Sequence, residues 1–493
     1  MSPLDVDQLI HAFLDEGSRR DWDEEFPDPP LVDTYRESIE KARVKTGRRE
    51  SVVACEGRIA GRRAAVIGGD PGFLGGSIGV AAGELLTRAI ERATAEGLPI
   101  IALPVGGGTR MQEGTIAFLQ MAKITGAVMA HKAERLPYLV YLRNPTMGGV
   151  FASWGSLGHV TFAEPDALVG FLGPRVYEAI HGEPFPKGVQ HSDNLAELGV
   201  IDRVLEPQEL AEAFARILVV MCDRPTGYEP LESEPPSELL DEPAWDSILR
   251  TRSEDRPGLR DLLEIAASNV TMLNGTGDGE THPGSVLALA QWDNAPCVVV
   301  GQCRSDQGHP LDPAALREVR RGIRLARELK LPLVSVIDTP GAALSKEAEE
   351  RGMAPEIART LSELLTLPTP TVSFIMGQGT GGIALAMIPA DRVVACEHAW
   401  LAPLPPEGAS AIMYRDTDHA AEMADRQGVR ARDLMEVGIV DRIVPEPDDP
   451  AAYRVEFCTE LGRVLHDAIL RVLRVPKGAR LNIRRARYRQ LGL

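Results

Sequence analysis

The sequence predicts an α/β protein of two tandem domains, each a parallel-rich layer of strands covered by helices. Three observations predict it. First, four segments recur in the same order at almost one offset. LPIIALPVGGG from Leu98 matches LPLVSVIDTPG from Leu331, NPTMGGV with Gly148 and Gly149 matches GQGTGGI with Gly381 and Gly382, and AVIGG near Val66 matches VVVGQ near Val299, each 233 residues apart. ELGVIDRVLEP from Glu197 matches EVGIVDRIVPEP from Glu436 at an offset of 239. Ordered recurrence of this kind marks an internal duplication. Second, each copy reads as apolar strand, glycine-rich turn and amphipathic helix, the alternation that builds parallel sheets through right-handed crossovers. Third, residues 224–257 are rich in proline and acidic side chains, which prevents a continuous helix or central strand. Residues 224–243 are therefore expected to be an acidic, Pro-rich linker between domains 1–223 and 244–493.

Within the first domain AAVIGG, PIIALPV and YLVYL are short apolar runs bounded by Gly or Pro, and they read as buried strands. After the first comes GELLTRAIERATAEG, where Leu86, Ile90 and Ala93 share a helical face and Gly97 stops the helix. The second domain repeats this with CVVVG, PLVSVID and PTVSFIM, and with a helix around EVRRGIRLAREL.

The chain has 493 residues with 53 Lys and Arg against 71 Asp and Glu, a net charge of −18. That balance argues against general binding to nucleic acid or to an anionic membrane, which needs a net basic face. Six cysteines cannot frame so long a chain, and no C-x-x-C pair is present for zinc or redox chemistry. The N-terminal stretch carries Asp5, Asp7, Asp15 and Glu16 without a basic n-region, so it does not read as a secretory signal. No apolar run approaches the roughly 18 residues of a membrane span. A cytoplasmic protein is expected.

The usual signs of side-chain catalysis are missing. There is no H-E-x-x-H and no G-x-S-x-G elbow. His159, His181 and His191 read as solvated or hydrogen-bonded, and adjacent acids such as Glu349 and Glu350 point to different faces. What recurs is glycine between a buried strand and a helix: Gly107 and Gly108, Gly148 and Gly149, Gly341, Gly381 and Gly382. A helix start leaves main-chain N–H groups unpaired, and glycine lets a ligand approach them. Two convergent donors can hold a carbonyl oxygen as it becomes an enolate or oxyanion. Equivalent pairs in both halves favour two holes over mere tight turns.

These residues carry a family resemblance. From Leu9 to about Pro207 the chain resembles the β subunit of bacterial acetyl-CoA carboxylase carboxyltransferase, through FLDEGS, GGSIG, GGGTRMQEG, PTMGGVFAS, AEPDALVGFLGPRV and LGVIDRVLEP. From Ala244 onward it resembles the α subunit, through AWDSILRTRSEDRP, IDTPGA, AEERG, GQGTGGIALA, PPEGASAI, VGIVDRIVPEP and RRARYRQLG. The resemblance implies two tandem crotonase-like (ClpP/crotonase) β/α spiral domains. It implies a reaction in which carboxybiotin, on a separate biotin carboxyl carrier protein served by a separate biotin carboxylase, releases CO2. The exposed ureido nitrogen takes the α-proton of a short acyl-CoA, and the enolate attacks the CO2. By the same resemblance Gly148 and Gly149 hold the acyl carbonyl, and Gly381 and Gly382 the biotin ureido carbonyl. Gly75, Gly76, Gly107, Gly108, Arg110 and Arg175 fall on the CoA side, and Gly341, Gly377, Gly379, Glu407 and Gly408 on the biotin side. At least a homodimer is implied, and no zinc, because the family's four-cysteine ribbon has no counterpart here.

Departures concentrate in the α-like half. The family carries a Tyr-Pro-Gly and another Gly after IDTPGA, where this chain has Ala343, Leu344, Ser345, Lys346 and Glu347. The basic stretch before the preceding helix is shortened to QCRSDQGHPLDPAAL. The altered loop Ala343–Glu347 motivates an alternative, a biotin-independent decarboxylase of malonyl-CoA or malonyl-ACP on the same fold. A third reading is a non-catalytic organising subunit. The arginines from Arg471 to Arg489 read as a solvated helix pairing with the protein's own carboxylates rather than as a patch for CoA phosphates or an acidic carrier.

Overall fold

The computed structural model describes residues 4–22, 26, 33–225, 241–303 and 310–492. The chain forms two compact units, one of Met1–Leu218 with Gly277–Gly279, the other of Val219–Thr276 and Glu280–Leu493. Most of the linker expected at 224–243, and residues 304–309 of the shortened basic stretch, lie outside the described residues.

Unit 1 is built on a seven-stranded sheet. Its strands are β1 (Arg20–Asp21), β2 (Val52–Ile59), β3 (Arg62–Gly69), β4 (Ile100–Leu103), β5 (Tyr138–Leu142), β7 (Val160–Ala163) and β9 (Arg203–Val204), in that spatial order. A separate parallel pair joins β6 (Thr146–Met147) and β8 (Val169–Gly170). From β3 to β9 every neighbour is parallel, whereas β1, β2 and β3 pair antiparallel. The sheet is therefore parallel-rich with an antiparallel edge. The apolar runs IIAL and YLVYL are buried throughout, as strands covered on both faces must be. Helix Val80–Ala95 buries Leu86, Ile90 and Ala93 and ends before Gly97, whose φ is 66°. Each such buried Leu or Ile contributes about 1.5–3 kcal/mol.

Unit 2 repeats the arrangement. The order is β10 (Ser268–Leu273), β11 (Ser285–Trp292), β12 (Ala295–Gln302), β13 (Leu333–Thr339), β14 (Thr371–Thr380), β15 (Arg392–Cys396) and β17 (Arg442–Val444), with β16 (Trp400–Ala402) paired to the end of β14. Again the first three strands are antiparallel and the rest parallel. Asp312 caps helix Pro313–Leu329 by accepting the Ala314 N–H at 2.8 Å, and Leu316, Val319, Ile323 and Ala326 face the core. That helix lies so close to β12 that a Cβ at Gly322 would come within 2.3 Å of Val300 Cγ1.

The three histidines do not form a site. His159 is buried, and its Nδ1 accepts the Tyr138 N–H at 3.0 Å, whereas His181 is exposed at the end of helix Pro174–His181. The histidine that matters for stability is His131, fully buried on helix Gly114–Ala133. Its Nε2 meets the Pro137 carbonyl at 3.1 Å and its Nδ1 the Thr94 hydroxyl at 2.9 Å. Burial pushes its pKa down from 6.5 to about 4. The unfolded chain then binds a proton that the folded chain refuses between pH 6.5 and 4, so stability falls as pH drops through that window. At pH 5 the loss is about 2 kcal/mol. Urea unfolding at pH 7 and pH 5 should show a smaller acid loss in His131→Gln than in the wild type. Equal losses would contradict the assignment.

The C-terminal arginines do pair with the protein's own groups, but two of them on the last helix are buried rather than solvated. Arg480 and Arg484 of helix Lys477–Arg489 are buried, because both fill a gap lined by main-chain carbonyls. Arg484 donates to both oxygens of Asp391 at 2.9 and 2.8 Å and to the carbonyls of Leu364, Leu367 and Thr369. Arg487 pairs with Asp441 at 2.7 Å, and Arg471 with Asp467 at 2.6 Å. Lys477, Arg485 and Arg489 remain exposed.

Candidate active site

In each unit two glycine turns meet at the end of the parallel strands. In unit 1 the chain leaving β4 passes through Gly106, Gly107 and Gly108, and the chain leaving β5 reaches Gly148 and Gly149. Gly106 bridges Thr146, donates its N–H to the Pro145 carbonyl at 2.6 Å and accepts the Met147 N–H at 3.0 Å. Thr146 adds side-chain bonds to the carbonyls of Pro104 at 2.9 Å and Arg143 at 2.7 Å. The two turns are thereby held together rigidly.

Glycine at 108 keeps this junction open. Its φ is 108°, and a Cβ there would lie 3.4 Å from the Gly149 nitrogen. Gly148 has φ 55° and starts the helical turn Gly148–Val150, so its N–H and that of Gly149 precede any intrahelical acceptor. Gly107 faces open space. Gly76 packs backbone to backbone against Gly106, where a Cβ on Gly106 would lie 2.3 Å from the Gly76 carbonyl oxygen, while Gly75 is open. Gly76 is thus fixed by packing, and Gly75 lies free beside it.

Unit 2 repeats the junction 233 residues later. Thr339 pairs with Gly379, as Gly106 pairs with Thr146. Gly341, with φ 128°, stands against Thr380, and Gly381, with φ 71°, opens helix Gly381–Met387. A Cβ on Gly379 would meet the Trp400 carbonyl oxygen at 2.6 Å, and one on Gly382 would meet Ile357 Cδ1 at 2.6 Å. Beside this turn is a cleft of about 390 Å³ lined by Arg252, Pro340, Gln378, Thr380, Trp400, Pro405 and Glu407. Glu407 lies in the first turn of helix Pro406–Tyr414 with Gly408 behind it. Its carboxylate accepts both Nη groups of Arg252 at 2.6 and 3.1 Å, which holds it below the usual carboxylate range. Arg252 was not legible as a site residue, because its partner lies 155 positions away.

Arg110 differs from its expected setting. It is 2 % exposed and faces the interior, where both Nη groups donate to the Glu50 carboxylate at 2.6 and 2.5 Å. Glu113 accepts the Tyr35 hydroxyl and the Val80 N–H, and it lies 3.6 Å from Arg110. Arg110 therefore anchors the end of the Gly106–Gly108 turn. Arg175 lies on helix Pro174–His181, its side chain outside what is described. The altered segment after Gly341 is ordered by a bond from the Ala343 N–H to the Leu311 carbonyl at 2.8 Å and by Ser345, which caps helix Lys346–Glu350. Leu344 is fully exposed there, and Glu349 and Glu350 are exposed. Among the described residues no group of three or more His, Cys, Asp or Glu could hold a metal ion, and no helix is long and apolar enough to cross a membrane.

Paired turns of this kind, with main-chain donors behind glycines, suit an enzyme that stabilises oxygen anions on acyl-type carbonyls. The comparisons agree. The carboxyl transferase domain family matches residues 30–453. A probable biotin-dependent acyl-coenzyme A carboxylase beta3 subunit of Mycobacterium tuberculosis is 54% identical over 496 residues, covering 100% of this chain and 99% of that one. The acetyl-coenzyme A carboxylase carboxyl transferase subunits beta/alpha of Salinispora arenicola are 35% identical, covering 100% and 91%. A crystal structure of transcarboxylase 12S superposes with a TM-score of 0.75 at 20% identity over 93% of this chain and 89% of that one. The chain belongs to the carboxyl transferase domain family. It is a carboxyltransferase of the kind found in biotin-dependent acyl-CoA carboxylases.

Proposed function

We propose that the chain moves a carboxyl group from carboxybiotin, carried on a separate protein, to the α-carbon of a short acyl-CoA. Gly148 and Gly149 hold the thioester oxygen, and Gly381 and Gly382 hold the ureido oxygen. The observation that carries this reading is the repeated junction: Gly108 beside the Gly149 nitrogen, and Gly341 beside Thr380 ahead of Gly382. Each leaves main-chain donors uncovered where a carbonyl oxygen gains charge, and a donor of this kind is worth roughly 3–4 kcal/mol in the transition state. The protein's part is to orient both carbonyls and exclude water, while the carboxybiotin co-substrate supplies the carboxyl group and the base.

The matching strand orders and the 233-residue spacing of the glycine junctions support two crotonase-like domains of common origin, with the β-like half in 1–223, the linker in 224–243 and the α-like half in 244–493. The CoA side comprises Gly75, Gly76, Gly107, Gly108, Arg110 and Arg175. The biotin side comprises Gly341, Gly377, Gly379, Glu407 and Gly408, with Arg252 added. Val150, Phe151, Ile383 and Ala384 after the glycine pairs suit a short acyl chain, and the transcarboxylase 12S structure was solved with methylmalonyl-coenzyme A bound. Exposed Phe118, Leu119, Ile412 and Met413 support assembly into at least a dimer. The test is forward transfer from a carboxylated biotin carrier protein to labelled acetyl-CoA or propionyl-CoA. The expected result is malonyl-CoA or methylmalonyl-CoA formed only with the carrier. No carboxylated product with either acyl-CoA would contradict the reading.

A further inference from the structure

The two units solve one backbone problem with different residues. Along β13 and β14 Ile337 pairs with Ile375, but the next pairing is Thr339 with Gly379. Asp338 therefore stands opposite three residues, 376–378, in a bulge just before the glycine turn. A bulge leaves main-chain groups without ladder partners, and in a buried sheet they must be satisfied otherwise. Asp338 is 1 % exposed, and its Oδ1 accepts the Gln378 N–H at 2.9 Å. Its own N–H donates to Gln302 Oε1 at 3.0 Å. From the other side Arg256 donates to the Met376 carbonyl at 3.0 Å while paired with Glu446. Between these contacts sits Gly377, where a Cβ would lie 2.5 Å from Asp338 Oδ1. Glycine is required there because the carboxylate closes directly onto the chain.

In unit 1 the same positions, 233 residues earlier, hold Val105, Asn144 and Pro145. There Val105 offers no carboxylate; the Pro145 carbonyl accepts the Gly106 N–H at 2.6 Å, and Glu164 accepts the Asn144 N–H at 2.8 Å. Unit 2 thus holds this stretch with a carboxylate from the strand beside it, Asp338, where unit 1 uses Glu164 from the chain just after β7.

We propose that Asp338 is a positioning residue for the unit 2 hole. Its charge-assisted bond fixes the bulge and so the direction in which Gly379, Thr380, Gly381 and Gly382 leave the sheet. Asp338 touches no substrate, and the inference rests on the proposed role of Gly381 and Gly382.

The test uses the full chain and two variants, Asp338→Asn and Gly377→Ala, the latter pressing on the same carboxylate. Amide hydrogen exchange of peptides covering 376–387 is read alongside kinetics with free biocytin. The expected result is exchange about 10- to 100-fold faster in that stretch in both variants, the loss expected for one bond to a charged group. A raised KM for biocytin should accompany it, with unchanged acyl-CoA affinity by calorimetry showing that unit 1 is intact. Unchanged protection at 376–387, or unchanged biocytin kinetics despite lost protection, would overturn the proposal. If the unmodified chain shows no biocytin dependence, the functional reading fails, and the exchange result still decides whether Asp338 fixes the bulge.

Discussion

Replacing Gly108 with alanine should lower kcat/KM for acyl-CoA by about 100- to 1,000-fold, the loss seen when one oxyanion donor is removed. The added methyl group would sit 3.4 Å from the Gly149 nitrogen, in the space that the proposed function assigns to the thioester oxygen. The residue also sits at φ 108°, which alanine rarely adopts, so some stability is lost as well. Gly341→Ala is the matched control at φ 128° in unit 2, its Cβ 3.6 Å from Thr380 Cγ2. The two variants share the backbone strain and differ in which hole they crowd. Gly108→Ala should weaken acyl-CoA binding and leave the KM for biocytin near wild type, and Gly341→Ala should do the reverse. Calorimetry with acyl-CoA and steady-state kinetics with biocytin separate them. Identical behaviour in both assays would mean that the glycines serve packing alone.

The second large effect is on stability. Arg484→Ala should destabilise unit 2 by about 3–5 kcal/mol, because it leaves Asp391 buried without its bidentate partner and strips donors from three carbonyls. In a unit of this size that corresponds to a fall of roughly 10 °C in the unit 2 melting transition. Arg484→Lys should recover little of the loss, since an ammonium cannot reproduce the planar fork. Differential scanning calorimetry gives the answer, and a transition within about 2 °C of wild type would show that the C-terminal helix is dispensable.

Much of the architecture was legible because its signals are local. The runs IIAL, YLVYL and PTVSFIM are short, apolar and bounded by Gly or Pro, and all lie in central parallel strands. The glycine junctions were legible because positive φ after a strand restricts the residue, and because each occurs twice. What was missed depends on distant partners. The inward setting of Arg110 was not legible, because Glu50, the group that turns it inward, lies 60 residues upstream. The C-terminal arginines looked like a solvated face, because no local pattern shows carbonyls waiting at Leu364, Leu367 and Thr369. At the antiparallel edge β1 is only two exposed residues and β2 alternates half-buried and buried positions instead of being buried throughout, so it stood outside the strand pattern. Asp338 read as part of a strand, and the bulge it faces emerged only from the register shift beside it.

The reverse reaction separates biotin-dependent carboxyl transfer from simple decarboxylation. Malonyl-CoA or methylmalonyl-CoA is incubated with the protein, with and without free biotin or biocytin, and CoA products are separated by chromatography. Carboxyl transfer through the two glycine junctions predicts decarboxylation only when the biotin compound is present. Decarboxylation at the same rate without it would contradict the account and make the protein a biotin-independent decarboxylase.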